Sequence, residues 1–304
     1  MKGLPAVLLY SVLNLLLVLV IAPLFNGITR KVTAVVQSRQ GPPLTQSYMD
    51  LMKLLLKEDI EVGDSPITQR FAALLSLAAT LSVALLIPMG GPPPLSGIAD
   101  SILLIYLLTL AGISVLLAGL AAGSTYSLVG MSREMMGMMA LDPLMAMGII
   151  MSAVHTDSLR LDAVFGGSVY SGLWSGILIV CVLAFALQAF VGRVPFDVTE
   201  AETEIMEGPL IEYSGPKLAL FKYAWMAKMF VYTALFIALF VPPISTGLYV
   251  ADVLVFLLMQ AVLMLIVTLV AATHARYRID QVIRYYLVLF VLGLLALTMA
   301  VIGI

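Results

Sequence analysis

Charge, cysteine and histidine are all scarce in this 304-residue chain: 11% of its residues are charged, one is cysteine and two are histidine. So little charge beside 62% hydrophobic residues and a mean hydropathy of +1.07 excludes an ordinary soluble domain. The formal net charge is −2 and basic residues are sparse, so the electrostatic footprint for nucleic acid is missing. A single cysteine, Cys181, excludes a disulfide or an iron–sulfur cluster built by this chain alone. His155 and His274 fall at opposite membrane faces in the topology derived below, about 30 Å apart, so one haem cannot use both. The chain presents no redox centre of its own, and each histidine reads as an interfacial or packed residue. No repeat of helix pairs is visible, so the inverted-repeat signature of many secondary transporters is not supported.

What the sequence does contain is apolar runs of roughly 20 residues, long enough to cross a bilayer. They lie at about 4–26, 70–90, 101–121, 137–155, 172–192, 219–241, 251–272 and 284–303. The expected fold is an all-α integral membrane protein with eight transmembrane helices, forming a single transmembrane domain over 1–304. The first run is preceded only by Lys2, lacks a small-residue cleavage site and ends in APLFNGITRK, which reads as a retained helix rather than a signal peptide. Arginine and lysine concentrate in the odd-numbered loops, whereas the even-numbered loops hold only Arg160. The positive-inside rule places the odd loops in the cytoplasm and both termini outside. Even loops such as GGPPPLSG read as plain turns.

Two cytoplasmic segments differ in kind, 30–69 and 193–222. In the first, LTQSYMDLMKLLLKED reads as an amphipathic helix with Gln46, Asp50, Lys53 and Lys57 on one face and Tyr48, Leu51 and Leu55 on the other. It either lies at the membrane surface with solvated charges or roofs a cavity under a partner. In the second, RVPFDVTEAETEIMEGPLIEYSG predicts a helix begun at Pro195 and Asp197 and ended by Gly208 and Pro209. On such a helix Asp197, Glu200, Glu204 and Glu207 share one stripe, while Glu202 points elsewhere.

Acids in a first turn complement the helix dipole, which accounts for Asp197 and Glu200. It does not account for Glu204 and Glu207, which repel each other and approach the wrong end of the dipole. Clustered carboxylates in a partly buried place raise one another's pKa, and a row of them passes protons. A solvated acidic loop is the usual meaning of a short acidic run. Here the run is flanked by membrane helices and followed by Lys228 inside an apolar span, and intramembrane ionisable groups are costly enough to mark a pathway. Lys228 is expected to pair with an acid, with snorkelling as its bland alternative.

A second constellation, GMSREMMGMMALDPLMAMG, puts Glu134 and Asp142 eight residues apart on roughly one side of a helix. Pro143 removes a helical hydrogen bond and frees the carbonyl of Met139, leaving room for a kink or a water. Methionines crowd this stretch and suggest packing rather than copper handling, since neither Cys nor His is near. In HARYRIDQVIR, Asp280 is expected to pair locally with Arg276 or Arg284.

RVPFDVTEAETEIMEGPLIEYSG resembles the signature of the respiratory complex I membrane subunit that joins the peripheral and membrane arms. That family includes the corresponding subunit of group 4 energy-converting nickel–iron hydrogenases of the formate hydrogenlyase type. The resemblance spans almost the whole chain, and NGITRKVTAVVQSRQGPPLTQSYMDLMKLL, MSREMM and EGPLIEYSG look like the hydrogenase branch. It departs at Asp142, where a Glu before Pro is the family pattern. The resemblance implies a non-catalytic coupling subunit, with a nickel–iron site and iron–sulfur clusters in partners: hydrogenase-like large and small subunits, an iron–sulfur subunit and antiporter-like membrane subunits. It also implies an acidic entrance at Glu200, Glu202, Glu204, Glu207 and Glu212, and a membrane-embedded continuation at Glu134 and Asp142. Arg193 and Lys228 would tune these acids, and Arg39, Asp50, Lys53 and Glu58 would belong to the docking surface. The rivals are a quinone-chamber subunit of a complex I-type oxidoreductase, the equivalent subunit of a sulfur-reducing complex, and a stand-alone carrier.

Overall fold

The computed structural model describes residues 4–60, 65–95, 97–165, 172–199, 201–242 and 247–303. In chain order its helices are α1 (Leu4–Val36), α2 (Gln46–Leu55), α3 (Pro66–Leu86), α4 (Ser101–Ala122), α5 (Thr125–Thr156) and α6 (Leu161–Val164). They continue with α7 (Leu173–Phe190), α8 (Glu202–Ile205), α9 (Gly215–Phe240), α10 (Tyr249–Thr273) and α11 (Ile279–Ile302). Seven are long and apolar enough to cross a membrane, and α7 is a shorter apolar helix that completes the expected eight. Among the described residues there is no strand beyond an isolated bridge between Asp100 and Arg160.

Helix α9 is the hub. Within its apolar stretch 78% of residues are buried, against 22–50% for the other spans, and it packs on α1, α2, α3, α7 and α10. A polar side chain deep in that stretch is therefore enclosed by protein, where an ionisable group has a cavity rather than lipid beside it. Buried Gln260 of α10 shows the same economy: its amide donates to the carbonyl of Phe230 at 2.8 Å and to the hydroxyl of Thr233, both on α9.

Proline and glycine shape the ends. Helix α1 passes through Pro23 and continues to Val36, well past residue 26. Helix α5 begins at Thr125 rather than near 137, because Gly123 ends α4 at φ +68° and Ser124 caps α5 by accepting the N–H of Ser127 at 3.2 Å. Arg133 and Glu134 are consequently helical residues, not loop residues.

The charged segments meet at one end of the bundle. Ile60 N–H donates to Ser214 Oγ at 3.3 Å, Lys217 pairs with Asp59 at 3.1 Å, and Tyr277 N–H donates to the carbonyl of Pro195 at 3.0 Å. Gly215, at φ +56°, is placed so that a Cβ would strike the Glu58 carbonyl 2.5 Å away, which locks 57–60 onto the start of α9. The opposite end holds the short connections, among them Ser101 bonded to Leu159 and buried Asn14 donating to the carbonyls of Ala84 in the last turn of α3 and of Ile87 just beyond it.

Candidate functional site

The acidic segment after α7 is not the helix that its sequence pattern predicts. Residues 191–199 are turns, bends and irregular chain, α8 is a single turn, and Met206 and Glu207 have φ of +50° and +69°. The cause is non-local: Val198, Ala201 and Ile205 could share one helix face, but Phe196 would then fall on the opposite side, and all four are buried. Phe196 sits among Tyr277, Tyr285 and Tyr286 at ring separations of 4.9 to 5.6 Å. Gly208 at φ +54° lies where a Cβ would strike the carbonyl of Thr199, and Gly130 of α5 is pressed against Gly208 and Pro209. Two small residues thus let the segment lie flat on α5, where a side chain would hold it off.

The acids therefore do not form a stripe. Each reaches a different helix or loop: Asp197 pairs with Arg276 at 3.0 Å, Glu204 with Arg133 at 2.7 Å, and Glu207 with Lys222 at 3.9 Å. Arg276 thus turns to Asp197 instead of Asp280. Glu212 lies half-buried beside Tyr213, whose hydroxyl donates to the carbonyl of Ala118 at 3.0 Å. Glu200 and the side chain of Glu202 lie outside the described residues.

Behind this segment a cavity of about 130 Å³ opens between α5, α9 and α11, and Glu134, Asp142, Lys228, Tyr232 and Tyr286 all line it. Glu134 and Asp142 do share a side of α5, and both interact electrostatically, Asp142 with Lys228 as well. Lys228 is thirteen residues into α9 from Gly215, about 20 Å along the axis. Its ammonium lies 5.7 Å from the ring centre of Tyr232, and Tyr232 stacks on Phe190 at 5.5 Å. Among the described residues it makes no ion pair with a carboxylate, so the expected partner acid is a cavity neighbour rather than a contact. Arg133 bridges outward, lining the cavity while holding Glu204 and the carbonyl of Val198 at 3.3 Å.

A larger cavity of about 500 Å³ lies on the charged end between α1, α2 and α9. Trp225, Leu210 and Phe221 line both cavities and form the wall between them. The Arg193 guanidinium lies 4.4 Å from the Trp225 ring centre and donates to Asn26 Oδ1 at 2.7 Å and Thr29 Oγ1 at 3.4 Å. Sequence reasoning does not single out Asn26 or Trp225, although an asparagine three residues after Pro23 in an apolar run is a signal of its own.

Helix α2 buries Ser47 and Leu51, while Leu55, expected on the same side, is exposed. Asp50 accepts from Gln46 at 2.8 Å and from Arg30 at 3.0 Å. Burial raises its carboxyl, but those two hydrogen bonds and the charges of Arg30 and Lys222 outweigh it and hold Asp50 below its ordinary 3.8. Arg39, Lys53 and Glu58 are exposed at this end. Among the described residues no three His, Cys, Asp or Glu side chains converge to hold a metal ion.

Residues 9–302 match the family described as NADH dehydrogenase. The chain belongs to this family. Within the NADH dehydrogenase family it is 31% identical over 280 residues to hydrogenase-4 component C of Escherichia coli K12, covering 89% of this chain and 88% of that one. Formate hydrogenlyase subunit 4 of the same organism is 31% identical over 283 residues, covering 90% and 92%. An NADH-quinone oxidoreductase subunit of Ehrlichia chaffeensis is 28% identical over 284 residues, covering 83% and 77%. A chain of the membrane-bound sulfane sulfur reductase, an archaeal respiratory membrane complex, superposes with a TM-score of 0.87 at 26% identity, covering 97% and 99%. These relatives are named as components or subunits of larger assemblies, and this chain is a membrane protein of the same kind.

Proposed function

We propose that this chain is the ion-translocating coupling subunit of an energy-converting hydrogenase complex, docking a peripheral nickel–iron and iron–sulfur module. The observation that carries the reading is the placement of Glu134, Asp142 and Lys228 around one cavity at the heart of the bundle, on helices otherwise committed to apolar packing. Three ionisable groups in a low-dielectric site are retained at a cost that packing does not repay. A proton arriving on Asp142 cancels its attraction for Lys228, and the freed ammonium favours release of charge further along the cavity. Glu204 and Arg133 connect that cavity to the charged end, and Glu207, Glu212 and Asp197 surround the connection. Glu200 and Glu202 belong to the same entrance in this reading.

The docking surface is the charged end, with Arg39, Asp50, Lys53 and Glu58 beneath hydrogenase-like large and small subunits and an iron–sulfur subunit. Antiporter-like subunits stand beside the bundle. The redox centres reside in those partners, the charged end faces the cytoplasm, and both termini lie outside the cytoplasmic membrane. The identity of 31% to the two hydrogenase relatives, against 28% to the quinone oxidoreductase subunit, supports this branch over the quinone one.

A second reading, the equivalent subunit of a quinone or sulfur-reducing complex, is favoured by the TM-score of 0.87 to the sulfane sulfur reductase chain. Purifying the intact complex and assaying hydrogen evolution, quinone reduction and sulfur reduction separates the two. Asp142→Asn in that complex is expected to abolish coupled ion movement while electron transfer and assembly persist. Undiminished ion pumping in Asp142→Asn would overturn the relay.

A further inference from the structure

At the end of the bundle opposite the charged one, α5 finishes on a polar pair that the packing does not account for. Ser152 is fully buried, and its hydroxyl has no hydrogen-bond partner among the described residues. Both ring nitrogens of His155, one turn further on, are buried and equally unpartnered. Other buried hydroxyls in the long helices return to the carbonyl four residues back, as Thr80, Thr233 and Thr268 do at 2.8, 2.9 and 2.6 Å. Ser152 makes no such bond. A buried donor or acceptor left unmatched is costly, and three such atoms on neighbouring turns of one helix mark a place where a ligand belongs.

The surroundings restrict what that ligand is. A metal ion would need more ligands, and among the described residues no three His, Cys, Asp or Glu side chains converge. An anion would need a cation, and Arg160 is committed to Asp162 through two hydrogen bonds at 3.2 and 3.1 Å. Helix α6 packs back on α5 with Leu161 and Val164 fully buried, which keeps bulky molecules from this end of the helix. What fits is a small neutral molecule that both donates and accepts, as a hydroxyl and a neutral imidazole do themselves. Side chains three apart on a helix have Cβ atoms about 5–6 Å apart, a gap that one oxygen spans at ordinary hydrogen-bond distance. We propose that Ser152 and His155 bind a pair of ordered waters, one bridging the serine hydroxyl to the imidazole and the other on the far ring nitrogen. The waters take the place of protein partners and let α6 close over a polar helix end. Between Asp142 and Ser152 the buried residues of α5 include Leu144, Met145, Met147, Ile149 and Met151. That apolar stretch separates the waters from the inner cavity, so the site stands whether or not Asp142 carries ions.

The test is X-ray radiolytic labelling of the intact complex, in which hydroxyl radicals form from water where it sits, bound water included, and mass spectrometry reads the oxidised residues. Wild-type His155 is expected to be oxidised despite its buried nitrogens, and faster than Phe230, which is fully buried. Ser152→Ala takes one hydrogen bond from the bridging water and should slow oxidation of His155 about fivefold. Ser152→Thr keeps the hydroxyl and should keep the wild-type rate, and an unchanged labelling pattern elsewhere shows that each variant is folded. A rate at His155 no higher than at Phe230 makes the site dry and overturns the proposal. Equal rates in wild type and Ser152→Ala overturn it too, because solvent then reaches the ring without the serine. So does a wild-type rate that changes on chelation, which makes the occupant a metal ion.

Discussion

The Tyr223 hydroxyl donates to the carbonyl of Leu19 at 2.6 Å, and Leu19 is the residue whose helical partner would have been the N–H of position 23. Position 23 is proline, so the carbonyl is orphaned in α1 and the tyrosine of α9 satisfies it. The hydroxyl of Tyr48 on α2 donates to the neighbouring carbonyl of Val20. A break in one helix is thus the site at which two others are stitched to it. Tyr223→Phe should cost about 1–3 kcal/mol by leaving a buried acceptor unpaired. In Pro23→Ala, which restores the N–H, the same substitution should cost measurably less, a coupling read from thermal or denaturant midpoints of the four proteins of the cycle.

Lys228 is the natural companion to Asp142 in mutagenesis, because the two share a cavity and interact electrostatically. Lys228→Met should slow ion translocation at least about tenfold, the effect of about 1.4 kcal/mol on the rate-limiting charge movement. Restoring the charge with Lys228→Arg should recover part of it. Ion uptake by reconstituted vesicles, normalised to electron-transfer rate, checks both.

Glu204 and Arg133 are unequal partners despite their 2.7 Å contact. The Glu204 side chain is 52% exposed and that of Arg133 is 18% exposed. Glu204→Gln should therefore change stability by less than about 1 kcal/mol, and less still at high salt. Arg133→Gln also abandons the Val198 carbonyl and should cost more. Thermal midpoints at low and high ionic strength distinguish the pair.

Asp50 has its carboxyl held below 3.8 in the folded protein. A depressed carboxylate contributes stability that is present above its unfolded pKa and lost as pH falls through the folded one. The stability gap between wild type and Asp50→Asn should be level from neutral pH down to about 5 and close below about 4. With both side chains of the Arg30 pair more than 40% exposed, the gap stays under about 0.5 kcal/mol. A pH series of thermal midpoints measures it.

Gly130 leaves no room for a side chain: a Cβ would lie 2.6 Å from the Pro209 ring and 2.8 Å from the Gly208 Cα. Gly130→Ala should cost about 1–3 kcal/mol through overpacking and lift the acidic segment from α5. Faster hydrogen exchange at 202–210 would report the lifting.

The eight apolar helices and the shared side of Glu134 and Asp142 are readable from residues, because each depends on run length or on spacing along one helix. The acidic segment is not, because its pattern of charges fits a helix face while its buried Phe196, Val198 and Ile205 answer to α5 and α11. The surroundings of Lys228 are not readable either, because the cavity it lines is completed by Glu134, Asp142 and Tyr286 from α5 and α11.

Run length and charge distribution are enough to dictate an eight-helix membrane protein, since hydrocarbon thickness and the cost of unpaired backbone leave a long apolar run few alternatives. Which acid meets which base, where Trp225 divides two cavities, and that Lys228 looks into one of them are settled by the folded arrangement alone. Those relations join residues far apart in the chain, and their energies depend on distance and burial, which no local pattern of residue types encodes.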